Sequence, residues 1–157
     1  MGIEESLESQ NPGVFFVAIY QNPPILVLAF FYGTLMSGFD RRQRLGLEDR
    51  IVRRGRGWIE AALFDMGTYP AAVPSPGQRA WGELVEIADA ERVWPALDDV
   101  EGYDPATPDS SLYVRKVVPV HLDDGRDVEA WVYFYNAPLG DAPRIPSGDY
   151  LKYLTLR

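Results

Sequence analysis

The chain has 157 residues, 46% of them apolar and 24% charged, with a formal net charge of −8. That is enough for one domain with a substantial core, and the acidic balance argues against general affinity for nucleic acid or an anionic membrane surface. There is no cysteine and a single histidine, His121. Disulfides, thiolate zinc sites and multi-histidine metal sites are therefore excluded, and a Ser-His-Asp apparatus would have to use His121. The lack of cysteine is compatible with a reducing compartment, and the chain is expected in the cytoplasm.

Residues 1–13 carry Glu4, Glu5 and Glu8 ahead of Asn11-Pro12-Gly13. An acidic start does not suit a signal peptide. The apolar stretch Val14–Leu35 is cut by Gln21-Asn22-Pro23-Pro24 into two pieces, each too short to span a bilayer. Residues 1–24 read as an extension, partly disordered, with 14–20 as an extra strand or docking segment. The domain proper runs over 25–157.

Ile25–Tyr32 is β-branched and aromatic, which predicts a strand buried on both faces and central in its sheet. Gly33 ends it. The stop leaves backbone N–H groups in Tyr32-Gly33-Thr34-Leu35 without partners, as a small anionic or carbonyl ligand requires. Residues 37–50 read as a loop or short helix anchored by Leu45 and Leu47. Seven arginines lie between Arg41 and Arg56, opposed only by Glu48 and Asp49. Such a run is ordinarily a solvated face; the sharper alternative is attraction of an anionic substrate.

Trp58–Met66 predicts a strand, with a turn at Gly67 and a Pro/Gly-rich loop at Pro74–Gly77. In the next strand, Trp81–Ile87, period two puts Glu83 on the apolar side with Trp81, Val85 and Ile87. A lone buried carboxylate is costly, so Glu83 needs either a partner or a function. Asp89 is placed as a helix N-cap with Glu91 in the first turn. Val93, Trp94, Leu97 and Val100 share a helical face. Pro95 implies a kink or a helix start, and Gly102 is the stop. Tyr113–Leu122 and Val128–Tyr135 form a hairpin across Asp123-Asp124-Gly125-Arg126. Asn136–Pro146 reads as a loop, and a short helix begins at Ser147-Gly148-Asp149-Tyr150. Strands that mostly do not alternate with helices predict an α+β fold with a strongly curved or closed sheet.

Asp98, Asp99 and Glu101 fall at the C-terminal end of the predicted helix, where the macrodipole disfavours exposed anions by roughly 0.3–1 kcal/mol each. Asp98 and Glu101 are also like charges three residues apart. Both effects raise a carboxylate's pKa, and burial would raise it further. A glutamate poised in this way suits general-base work near neutral pH. The alternative is that Asp98 caps the next turn and Glu101 is solvated.

Five segments occur in order: Tyr32-Gly33-Thr34-Leu35, Gly82-Glu83-Leu84, Leu97-Asp98-x-x-Glu101-Gly102-Tyr103, Tyr113-x-Arg115 and Ser147-Gly148-Asp149-Tyr150. Together they resemble the gamma-glutamylcyclotransferase-like superfamily over about residues 28–153. Thr34 brings the turn closer to the branch of gamma-glutamylamine cyclotransferase and the avirulence-induced-gene-like proteins than to glutathione-degrading relatives. The resemblance implies a small mixed β-barrel of five to seven strands flanked by one to three short helices. It implies Glu101 as the catalytic base, with Tyr32, Gly33, Thr34, Leu35 and Tyr113 binding a small gamma-glutamyl substrate. Glu83, Asp98 and Arg115 support them, Arg115 by pairing with a carboxylate such as Glu83 or Asp98. No metal, cofactor, nucleic acid or membrane is implied. The reaction implied is cyclisation to 5-oxoproline with release of an amine. A non-catalytic small-ligand-binding module and a gamma-glutamyl amide hydrolase are the alternatives. The resemblance includes neither residues 1–24 nor Arg41–Arg56.

Overall fold

The computed structural model describes residues 26–156. The expectations for the extension 1–24 and for Ile25 lie outside them. In chain order the elements are β1 (Val27–Phe31), α1 (Arg41–Arg44), β2 (Ile51–Asp65), β3 (Pro70–Ile87), α2 (Ala90–Glu101), β4 (Tyr113–Leu122), β5 (Asp127–Tyr135), β6 (Arg144–Ile145) and α3 (Tyr150–Leu156). Five strands close a barrel, β2-β3-β1-β5-β4 and back to β2, and β6 pairs with the far end of β2. The β1–β5 pair is parallel and the others are antiparallel, so the barrel is mixed. This is the α+β barrel with short helices that the sequence predicts. β1 is central, between β3 and β5.

Closure takes place at two glycines. Gly57 pairs with Gly82 across β2 and β3, and Gly57 also pairs with Leu122 of β4. A Cβ on Gly57 would lie 2.5 Å from the His121 carbonyl oxygen, and one on Gly82 2.1 Å from that of Phe31. Only the missing side chains let these strands approach closely enough to complete the ring. The interior is filled by Phe30, Ile59, Val85, Val120 and Val132, with Val93 and Leu97 of α2 packed against it; each is at most 1% exposed.

Four elements differ from expectation. β2 begins at Ile51, seven residues before Trp58, because its first half is Arg-rich and mostly exposed between the buried Ile51 and Gly57 and so carries no apolar run. Pro74–Gly77 is no separate loop: β3 runs through it as a bulge, with Glu60 facing Arg79 and Ala61 facing Pro74. Residues 136–146 contain the two-residue strand β6, too short to have a periodicity. Asp89 precedes α2 in a left-handed conformation, but its side chain makes no cap bond and pairs with Arg50 instead. α2 runs from Ala90, so Pro95 is inside the helix rather than at its start.

Glu83 has partners on every side, which answers the question raised by its apolar setting. Its Oε1 accepts from the Ser37 backbone N–H (2.7 Å), the Ser37 hydroxyl (3.0 Å) and Arg42 Nη2, and its Oε2 accepts from Arg53 Nε at 3.1 Å. Arg42 also donates from Nε to the Leu35 carbonyl at 2.7 Å. Glu83 and Arg42 are 5% and 2% exposed. One buried carboxylate on β3 thus clamps the segment that follows β1. Glu83→Gln leaves the Arg42 charge buried without its counter-ion. The expected loss is about 3 kcal/mol or more of unfolding free energy, read as a lowered urea midpoint.

Candidate active site

A cavity of about 310 Å³ opens where the turn after β1 meets the β2–β3 hairpin, the end of α2 and the start of β4. Phe30, Tyr32, Tyr113 and Tyr133 line it and are buried, while Arg41, Thr68 and Leu112 line it and are more exposed. The first group forms the floor and the second the rim. Tyr32, Gly33, Thr34 and Leu35 all border the cavity, and Glu101 faces them from α2.

The turn is closed by the Met36 N–H donating to the Gly33 carbonyl at 3.0 Å. Among the described residues, the N–H groups of Gly33, Thr34 and Leu35 donate to no protein acceptor. Buried backbone donors are ordinarily paired, so three adjacent free ones beside a cavity are available to an acceptor such as a carboxylate or an oxyanion. Arg42 and Ser37 hold this loop to Glu83, which is not among the lining residues.

Three phenols stiffen the floor. Tyr32 donates to the Tyr133 carbonyl (2.6 Å), Tyr113 to the Pro70 carbonyl (3.0 Å) and Tyr133 to Asp98 Oδ1 (2.5 Å). Burial pushes the pKa of all three well above the usual range, and the nearby Glu101 carboxylate adds to it. They therefore stay protonated and act as donors. Asp98 is turned away from the cavity by Tyr133 and by Arg115, which holds both its oxygens at 3.0 and 2.9 Å. Arg115 stacks over Trp94, 4.2 Å from the ring centroid, and makes no contact with Glu83.

Glu101 closes α2, and the helix end is finished by Gly102 in the left-handed conformation. The Tyr103 N–H donates to the Asp98 carbonyl at 2.8 Å and the Gly102 N–H to that of Asp99 at 3.2 Å. Burial pushes the Glu101 pKa from 4.5 up to about 7, with Arg41 opposing the rise. Desolvation, rather than Asp98, is thus the cause: Arg115 neutralises that neighbour. Among the described residues, the ion pair of Glu101 is to Arg41, at 3.9 Å, beyond hydrogen-bonding distance. No cluster of three or more His, Cys, Asp or Glu side chains among them is arranged to hold a metal ion.

Sequence reasoning missed Tyr133 and met Arg41 and Arg42 only as members of the arginine block, without separating their roles. Arg42 had a signal, since a buried Glu83 requires a cation and the arginine block follows the turn that faces it. Tyr133 had none, because Val132, Tyr133 and Phe134 are all buried and the strand shows no alternation around it.

Residues 29–152 match the family model described as gamma-glutamyl cyclotransferase, AIG2-like. A protein of Methanocaldococcus jannaschii that carries a provisional gamma-glutamylcyclotransferase name is 30% identical over 125 residues, 79% of this chain and 95% of that one. An AIG2-like protein of Mus musculus has a similar structure, with a TM-score of 0.61 and 25% identity over 79% of this chain and 88% of its own. YkqA of Bacillus subtilis shares the fold, with a TM-score of 0.60 and 21% identity over 84% of this chain; the chain spans 42% of that protein's length. No helix among the described residues is long and apolar enough to cross a membrane. A barrel with this turn, this glutamate and this family match leads to one conclusion: the chain belongs to the AIG2-like gamma-glutamyl cyclotransferase family.

Proposed function

We propose that the chain converts a gamma-glutamyl amine or gamma-glutamyl peptide into 5-oxoproline and a free amine. The observation that carries this reading is the pairing, within one cavity, of a desolvated glutamate and three free backbone donors. The substrate's α-amine attacks its own γ-carbonyl carbon. A C–N bond forms within the glutamyl unit, the amide C–N bond breaks, and the leaving nitrogen takes up a proton. An α-ammonium has no lone pair, so its proton must first be removed. Glu101, with a pKa of about 7, accepts that proton near neutral pH and can return it to the leaving amine.

The N–H groups of Gly33, Thr34 and Leu35 hold the substrate carboxylate or the developing oxyanion. Because the reaction is intramolecular, most of the work is holding the substrate folded, reacting atoms in contact. A rigid floor serves that end. Tyr32, Tyr113 and Tyr133 are fixed by hydrogen bonds, so the cavity keeps its shape. In this reading Tyr113 bounds the substrate, while Glu83, Asp98 and Arg115 act through the groups they hold in place.

Glu101→Gln is expected to lower kcat by roughly 10²–10⁴-fold while leaving ligand binding nearly intact. The assay is 5-oxoproline release, with free glutamate scored alongside; glutamate as the product would select hydrolysis, and full activity in the variant would remove Glu101 as the base. For the wild type, kcat/KM should rise with pH to a plateau, with a midpoint at about 7.

The same carboxyl has a stability signature. Its folded pKa lies above its ordinary value, so the unfolded chain releases the proton first as pH rises. Stability falls between pH 4.5 and about 7 and the full penalty applies above that. Glu101→Gln should therefore be more stable than wild type at pH 8, by about 3 kcal/mol, and match it at pH 4. Thermal or urea unfolding at the two pH values reads the difference.

A further inference from the structure

Six of the seven arginines between Arg41 and Arg56 are accounted for as ion pairs. Arg42 and Arg53 hold Glu83, Arg44 pairs with Asp40, Arg50 with Asp49 and Asp89, Arg54 with Glu86, and Arg56 with Asp123 and Asp149, all within 3.5 Å. They behave as a solvated or clamping face. Arg41 is different. Its guanidinium lines the cavity, its side chain is 29% exposed, and its one carboxylate neighbour, Glu101, is 3.9 Å away. Among the described residues its donors make no hydrogen bond. Five N–H donors at the rim of a pocket, held close to an anion but not bonded to it, are set up to receive another acceptor.

Where that acceptor sits follows from the proposed chemistry, on which this inference rests. The glutamyl unit must reach Glu101 and the free N–H groups of the turn. Those donors meet its carboxylate or oxyanion, and Glu101 meets its ammonium. The leaving group then points to the rim. An ammonium beside Glu101 also offsets the carboxylate charge that faces Arg41 among the described residues, and this favours substrates that bring an anion of their own. The rest of the rim is mostly apolar: Val100, Tyr69 and a 40% exposed Leu112, with the neutral Thr68 beside them.

The geometry points to Arg41 as the specificity-determining residue for the leaving group. It binds a carboxylate carried next to the scissile nitrogen. The preferred substrates are γ-glutamyl derivatives of apolar α-amino acids, and γ-glutamyl derivatives of diamines are disfavoured by the same charge.

The test compares γ-glutamyl-leucine with γ-glutamyl-leucinamide, which differ only in the leaving-group carboxylate. The wild type should favour the acid in kcat/KM by about tenfold or more, as for one charge-assisted hydrogen-bonded contact. Arg41→Ala should bring the acid-to-amide ratio to near one, and Arg41→Lys should keep part of it. The ratio cancels any effect of Arg41 on Glu101 that both substrates share. A wild-type ratio near one, or equal losses on both substrates in Arg41→Ala, overturns the inference; the latter would assign Arg41 to the glutamyl unit or to Glu101 alone. Calorimetric binding of the same two probes to Glu101→Gln, with and without Arg41→Ala, reads the preference without turnover. Preferential binding of the acid that vanishes with Arg41→Ala, in a wild type that turns over neither probe, would retain the inference and reject the cyclotransferase reading. Binding of neither probe would reject the inference.

Discussion

The site depends on a carboxylate that never touches it. Glu83 projects from β3 into the apolar side of the barrel, where an unpaired charge would be untenable. It is tolerated because Ser37, Arg42 and Arg53 converge on it. The consequence lies one step further on. Arg42 reaches from Glu83 to the Leu35 carbonyl, so satisfying the buried charge also fixes the path of the chain after β1. With that path fixed, Gly33, Thr34 and Leu35 border a cavity, and among the described residues their N–H groups have no protein acceptor. Replacing such an ion pair with apolar residues often preserves stability in other proteins. Here that replacement would also release the turn.

Glu83 and Glu101 place the same functional group in opposite conditions. Glu83 is buried and saturated by cations and hydrogen bonds. Glu101 is nearly as buried, yet its counter-ion stands off at 3.9 Å. Desolvation that Arg41 offsets only in part destabilises the ionised form and raises the Glu101 pKa to about 7. A third carboxylate, Asp98, lies one turn from Glu101 and is taken out of play by Arg115 and Tyr133. Had Asp98 been left free, two like charges would have competed for the cavity. The Trp94 and Trp131 rings that cradle Arg115 therefore serve the site at one remove, by keeping its charge on Asp98.

The legibility of the site in the sequence follows from what kind of signal each residue carries. Glu101 was legible twice: as an acid at the wrong end of a helix and as part of a motif. The first reason was incomplete, since burial dominates its titration and Asp98 does not contribute. Burial of a helix-end residue depends on what surrounds it in the fold, here a cavity shared with Tyr32, Tyr69 and Tyr133, all more than thirty residues away in the chain. Arg41 and Arg42 are adjacent and chemically identical, yet one is buried against Glu83 and the other lines the cavity. Nothing local distinguishes them; a single turn of helix, placed by the barrel, points them in different directions. The long β2 was half hidden for a related reason. Its Arg-rich half satisfies the ladder through backbone bonds, which leave no mark in hydropathy.

By itself, the sequence determined the elements whose causes are local. The apolar run that ends at Gly33, the Asp-Gly hairpin between β4 and β5, the Gly102 stop of α2 and the general α+β composition each follow from neighbours within a few residues. What only the tertiary structure decided is closure and charge assignment. Gly57 and Gly82 are ordinary glycines until their strands meet, where a side chain on either would collide with a backbone carbonyl. Glu83, Asp98 and Glu101 are equivalent acids until the barrel sets what surrounds each one. Long-range packing fixes desolvation and the distance to a counter-ion, and those two quantities separate a structural carboxylate from one able to move a proton.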